Sequence, residues 1–192
     1  MADLDEVRIF SNNKSTLKKT THSEQGDMAI YMTESNLEVI DFDAVKREYM
    51  RGIISSESPT SCDALFVDNR GKYYLIEFKS GYISKTKSYE IWLKILDSML
   101  IALDILNKGI SFSREAMSFI LVYNEGKNPQ DAFGDGMQVS DSRTAIAEHF
   151  IERKAKKKYI RFNLERFEKL YFKDVYTYSE EAFESEFVVK HS

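Results

Sequence analysis

Residues 62–80, CDALFVDNRGKYYLIEFKS, decide how the rest of the chain is read. Two apolar runs, Cys62 to Asp68 and Lys72 to Ser80, flank Asn69-Arg70-Gly71, a turn of hairpin type. Both runs are apolar on both faces, which predicts interior strands of a covered sheet. Side chains alternate along a strand, so Glu77 and Lys79 share a face with Leu75 and Tyr73, while Tyr74, Ile76 and Phe78 point the other way. Pairing through the turn sets Val67 opposite Lys72 or Tyr73 and brings Asp63 near the height of Glu77. Two carboxylates and a lysine then converge at one end of the hairpin.

Charges in that position need partners, because burying either sign alone is unfavourable. Two close carboxylates repel each other unless a cation lies between them. Mg2+ or Mn2+, which favour oxygen ligands, would relieve the repulsion. The chemistry such a set suggests is metal-assisted phosphodiester hydrolysis, with Asp63 and Glu77 as ligands. Lys79, a point charge, would orient the attacking water and stabilise the transition state.

The flanking sequence reads as an α/β protein. Asp41 or Asp43 caps a helix through 44–53, with Val45, Tyr49 and Ile53 on one face. A long helix is expected from Tyr89 to Asn107, apolar nearly all round and therefore largely buried, with Trp92 in the core. Residues 117–124, MSFILVYN, make a third strand, and 124–141 a long loop. A further helix covers 145–158. The segments 159–167 and 169–178 are β-prone, and Ser179 opens a helix over 180–187. The order predicts a mixed central β-sheet flanked by helices. It fits a single domain over 1–192, with a core at roughly 37–125 and a C-terminal α/β extension at roughly 142–192. Residues 1–27 are polar and read as a short hairpin or a loose arm.

Asp63, fourteen residues before Glu77, with Glu77-Phe78-Lys79 ending an apolar strand, resembles the PD-(D/E)xK motif of the restriction-endonuclease-like nucleases. The resemblance covers roughly Asp41 to Asn124. It implies a restriction-endonuclease-like core and a magnesium-dependent nuclease, with Asp63 and Glu77 as metal ligands and Lys79 as catalytic helper. It also implies a metal contact from the Phe78 carbonyl and an additional acid from the first helix, for which Glu48 is the first candidate and Glu38 the second. DNA is the expected substrate, with RNA or an inactive binding or scaffold protein as alternatives, and a homodimer is expected by analogy. Cys62 stands where the motif has proline. Tyr89 follows the motif, but the Gln that accompanies such a Tyr in some exonuclease-like members has no counterpart.

Lys85 and Lys87, just beyond the motif, are the best candidates for contacting nucleic acid. The run Arg153, Lys154, Lys156, Lys157, Lys158 and Arg161 suits either a phosphate backbone or a solvated helix end. His22, His149 and His191 lack metal-ligand spacing, and Asp135 and Asp141 resemble a calcium loop only loosely. A formal net charge of −4 argues against a generally basic surface but leaves room for a local basic groove. Cys62 is the one cysteine, so no disulfide framework is expected. With no signal-peptide pattern and no apolar run that would span a membrane, the expected location is cytoplasmic.

Overall fold

The computed structural model describes residues 7–21, 23–25, 28–129 and 160–192. Its centre is a six-stranded mixed sheet. β1 (Lys14–Thr16), β4 (Glu38–Asp41), β5 (Ala64–Val67) and β6 (Tyr73–Lys79) are antiparallel neighbours. β6, β7 (Met117–Tyr123) and β8 (Asp174–Ser179) run parallel. The spatial order is β1-β4-β5-β6-β7-β8, which places β5 and β6 in the middle. β2 (Ser23–Gln25) and β3 (Met28–Ile30) form a separate two-stranded ribbon. The N-terminal segment therefore holds a hairpin, and it also lends β1 to the main sheet beside two short helices, α1 (Arg8–Ser11) and α2 (Leu17–Thr20).

The hairpin register is Val67 opposite Tyr73 and Ala64 opposite Ile76. Its turn closes through Asp68, whose backbone N–H donates to the Lys72 carbonyl and whose carboxylate accepts from the N–H groups of Arg70 and Lys72. Gly71 takes the left-handed conformation there, at φ 74°, which a side chain would oppose.

The two faces of the sheet build two cores. Leu65, Tyr73, Leu75, Phe119 and Leu121 pack on one side against α3 (Phe42–Met50), α4 (Lys85–Ile105) and α5 (Ile110–Ala116). Phe66, Ile76, Phe78, Ile120 and Val122 pack on the other side. There they meet α6 (Glu180–Phe183), which Ser179 caps, and the π-helical turn Glu184–Val188 that continues it. Ile91 and Ile95 of α4 are fully buried, each contributing about 1.5–3 kcal/mol by leaving water.

Several expectations need correction. α4 begins at Lys85 rather than Tyr89, because the Ser84 side chain caps it by accepting from the Lys87 N–H. It is also less buried than its composition suggests, since Tyr89, Leu93 and Leu100 are exposed on the face turned from the sheet. Ile53 lies past the end of α3 and is exposed, so it does not extend that helix's apolar face. Residues 160–167 form a turn and a 3-10 helix (Glu165–Phe167) rather than a strand, with Phe162 and Asn163 in the left-handed region at φ 61° and 55°. Trp92 packs against the first core but is only partly buried, under the Arg166 guanidinium at 4.4 Å and edge-on to Tyr89. Among the described residues, no helix is long and apolar enough to cross a membrane.

Candidate functional site

Glu77 is fully buried near the C-terminal end of β6, on the α4 face. Asp63 stands across from it, one residue before β5. Its backbone N–H donates to the Ile76 carbonyl at 3.0 Å, and its Oδ2 accepts from the Phe78 N–H at 2.6 Å. The Ile76 carbonyl and the Phe78 N–H thus both point to the Asp63 edge of β6. In a strand the N–H and C=O of one residue leave on the same edge, so the Phe78 carbonyl points that way too. Lys79 places its Nζ 2.6 Å from Glu77 Oε1. The structure therefore brings Asp63, Glu77, Phe78 and Lys79 together.

A further residue joins them that the sequence alone did not single out. Lys94, in the middle of α4, lies 2.7 Å from Glu77 Oε1 and 3.7 Å from Asp63 Oδ1. A signal for it was present: Lys94 stands three residues after Ile91 and four before Ser98, at the edge of the buried face of an otherwise apolar helix. A lysine there calls for a carboxylate partner.

The surrounding loops fix α4 against the acids. The Cys62 N–H donates to Ser98 Oγ at 2.7 Å, and both the N–H and the hydroxyl of Thr60 donate to Asp97 at 2.8 Å. At the other end of the helix, buried Asn128 accepts from the Ile83 N–H and donates to the carbonyls of Gly81 and Asn124. The chain leaving β6 and the chain leaving β7 are thus tied together where α4 begins.

Burial, followed by repulsion from Glu77, pushes the Asp63 carboxyl up to about 8, against the pull of Lys94, the Phe78 N–H and Lys79. Burial also opposes the charge of Lys94, but Glu77 and Asp63 overrule it and hold its pKa above the ordinary lysine value. Burial raises the Cys62 thiol well above its usual range, with Glu77 adding to the effect. That makes it a poor nucleophile. The side chains of Asp63, Lys79 and Lys94 keep 17%, 23% and 24% exposure, so the cluster opens to solvent on one side.

The remaining candidates have other partners. Glu48 accepts from the Asn13 amide at 2.9 Å and the Asn12 amide at 3.3 Å, which hold its carboxyl below the ordinary range. Those contacts join it to the turn after α1, and none of its described partners is Asp63, Glu77, Lys79 or Lys94. Glu38 pairs with Lys14 on β1 and is exposed. Asp41 caps α3, accepting from the Ala44 N–H at 2.8 Å, and Asp43 accepts from the Ser61 hydroxyl. Lys85 is exposed at the start of α4, and Lys87 pairs with Glu90 at 2.7 Å. The Lys87 hydrogen bond holds the Glu90 carboxyl below its ordinary range, and the charges of Lys79 and Lys94 add to this.

Arg161 is not a surface cation. It is buried, donates to the carbonyls of Asn128 and Pro129, and stacks on Tyr123 and Phe162. Arg153, Lys154, Lys156, Lys157, Lys158, Asp135, Asp141, His22 and His149 lie outside the described residues. His191 packs on Phe187.

Among the described residues no three His, Cys, Asp or Glu side chains gather as a metal-ligating group. The donors available to a cation are two carboxylates and one backbone carbonyl. One feature fits a hard cation: Glu77 Oε2 is buried without a hydrogen-bond partner among the described residues. A carboxylate oxygen removed from water and left without a donor is a ligand atom ready for a proton or a metal ion. Compared with protein-family profiles, curated proteins and solved structures, the chain matches none.

Proposed function

We propose that this protein is a metal-dependent nuclease with a restriction-endonuclease-like core, cleaving phosphodiester bonds of DNA at the cluster of Asp63, Glu77 and Lys79. The observation that carries the reading is the approach of Asp63 and Glu77 to one ammonium, that of Lys94, with a buried Glu77 oxygen that lacks a donor among the described residues. Asp63, Glu77 and the Phe78 carbonyl would hold Mg2+ or Mn2+, completed by water. Bound there, the metal supplies an acidified water and charge neutralisation at a phosphate oxygen.

The protein's own groups do the rest. The Phe78 N–H fixes Oδ2 of Asp63, leaving Oδ1 beside the Lys94 ammonium at 3.7 Å. Lys79, anchored to Glu77, presents a positive charge at the solvent side, where an attacking water and a phosphate would enter. Lys85 and Lys87 lie at the capped N-terminal end of α4, where the helix dipole also favours a phosphate.

One observation favours a second reading, a protein of the same fold that binds without cutting. Both lysines bond to the same oxygen of Glu77, so the cluster already resembles a self-compensated ion network. Matched single- and double-stranded DNA and RNA oligonucleotides, incubated with Mg2+, Mn2+ or EDTA, separate the readings. Metal-dependent cleavage of DNA that Asp63→Asn removes supports the nuclease. Cleavage of RNA alone moves the substrate to RNA, and binding without any cleavage supports the scaffold.

A further inference from the structure

Lys94 has no chemical part in the nuclease reading, yet it holds a central position among the acids. Its ammonium approaches one oxygen of each: Oε1 of Glu77 at 2.7 Å and Oδ1 of Asp63 at 3.7 Å. The ion pair of Lys79 is with Glu77. The placement of Lys94 is built in, because Asp97 and Ser98 on the next turn of α4 anchor the helix to Thr60 and Cys62, directly before Asp63. Bridging both acids at once is the task a divalent cation would perform there.

We propose that the Lys94 ammonium is a displaceable placeholder for the divalent cation, bridging Asp63 and Glu77 while the metal is absent and withdrawing toward solvent when it enters. The inference rests on the metal-binding reading of Asp63 and Glu77. Two features make the exchange workable. The Lys94 side chain is 24% exposed, so its flexible four-carbon stem has a way out. Among the described residues Glu77 Oε2 has no donor, so an incoming cation finds one ligand oxygen that needs no bond broken first. The exchange also keeps a positive charge against the buried carboxylate throughout, which avoids leaving it uncompensated.

Calorimetric titration with MnCl2 at pH 8 tests the exchange on wild type, Lys94→Met, Lys94→Gln and Asp63→Asn. Thermal melts in EDTA check that each is folded. Lys94→Gln still donates to Glu77 and keeps the test usable if Lys94→Met collapses. The expected result is Asp63-dependent binding that is about tenfold or more tighter in the Lys94 variants, since a competing unit charge near 4 Å has gone. Mn2+ should also raise the melting temperature of these variants more than that of wild type. Asp63-dependent binding in wild type that is unchanged or weaker in the Lys94 variants overturns the placeholder and leaves the metal site standing. Absence of Asp63-dependent binding in every protein overturns both.

Discussion

Lys94 reaches from the middle of α4 to Oε1 of Glu77, 2.7 Å away, and shares that oxygen with Lys79. A strand and the helix that follows it are thereby joined through one buried carboxylate. Glu77 has no other described hydrogen-bond partner, so its burial depends on these two ammonium groups. The site's electrostatics, its stability and its proposed chemistry therefore respond together to substitutions around Glu77.

Asp63 should make stability depend on pH with a definite sign. Its folded pKa of about 8 lies above the ordinary carboxylate value near ~4, so the folded state binds the proton more firmly than the unfolded chain. Its contribution is most favourable below pH ~4 and falls as pH rises toward 8. Asp63→Asn, which still accepts from the Phe78 N–H, should raise the melting temperature at pH 8 in EDTA by a few degrees, or about 1–3 kcal/mol. The difference should vanish below pH ~4. A gap that is constant across pH would show that Asp63 is not held against its charge.

Asn128 should be worth more than a loop residue. Asn128→Ala leaves the Ile83 N–H without its acceptor and the Gly81 carbonyl without the amide that donates to it, while the Asn124 carbonyl keeps the backbone N–H of residue 128. The expected loss is about 2–3 kcal/mol in denaturant unfolding. Hydrogen exchange at Ile83 should quicken with it. Unchanged exchange there would argue that Asn128 does not hold the entry to α4.

Ser98 anchors the segment before Asp63. Ser98→Ala removes the acceptor of the buried Cys62 N–H and should cost about 1–3 kcal/mol. Metal affinity should fall with it if positioning of Asp63 matters. A loss of stability with no change in Mn2+ affinity would make Ser98 a purely structural residue.

Lys85 and Lys87 should act on nucleic acid alone. The double Ala variant is expected to weaken DNA binding and to flatten the slope of log K against log salt by about 1.8, since each phosphate left without its lysine removes about 0.9. Mn2+ affinity should not change. An unaltered salt slope would remove this end of α4 from the interface. The Lys87–Glu90 pair makes Lys87 the weaker contributor of the two.

Much of this site was legible in the sequence because strand geometry is strict. Alternation put Glu77 and Lys79 on one face, and the short turn at Asn69–Gly71 fixed the register, Ala64 opposite Ile76, that brings Asp63 close. Lys94 was harder to read, since a charge at the edge of an amphipathic helix is usually solvated, and only the sheet beside α4 supplies its partners. Glu48 illustrates the converse. Its place on the first helix suggested the site, but the partners the structure gives it are the Asn12 and Asn13 amides, distant in sequence. Residues 160–167 misled through their aromatics, because anchoring of Arg161 to Asn128 and Pro129 and the left-handed backbone at Phe162 and Asn163 override β-propensity.

Cleavage of supercoiled plasmid by wild type and Lys79→Ala, side by side in Mg2+, Mn2+ or EDTA, tests the nuclease reading most directly. Wild type should nick or linearise the plasmid only with metal, and the activity should disappear in a Lys79→Ala protein that is still folded by circular dichroism. Cleavage that persists in EDTA, or that folded Lys79→Ala performs as well as wild type, would contradict it.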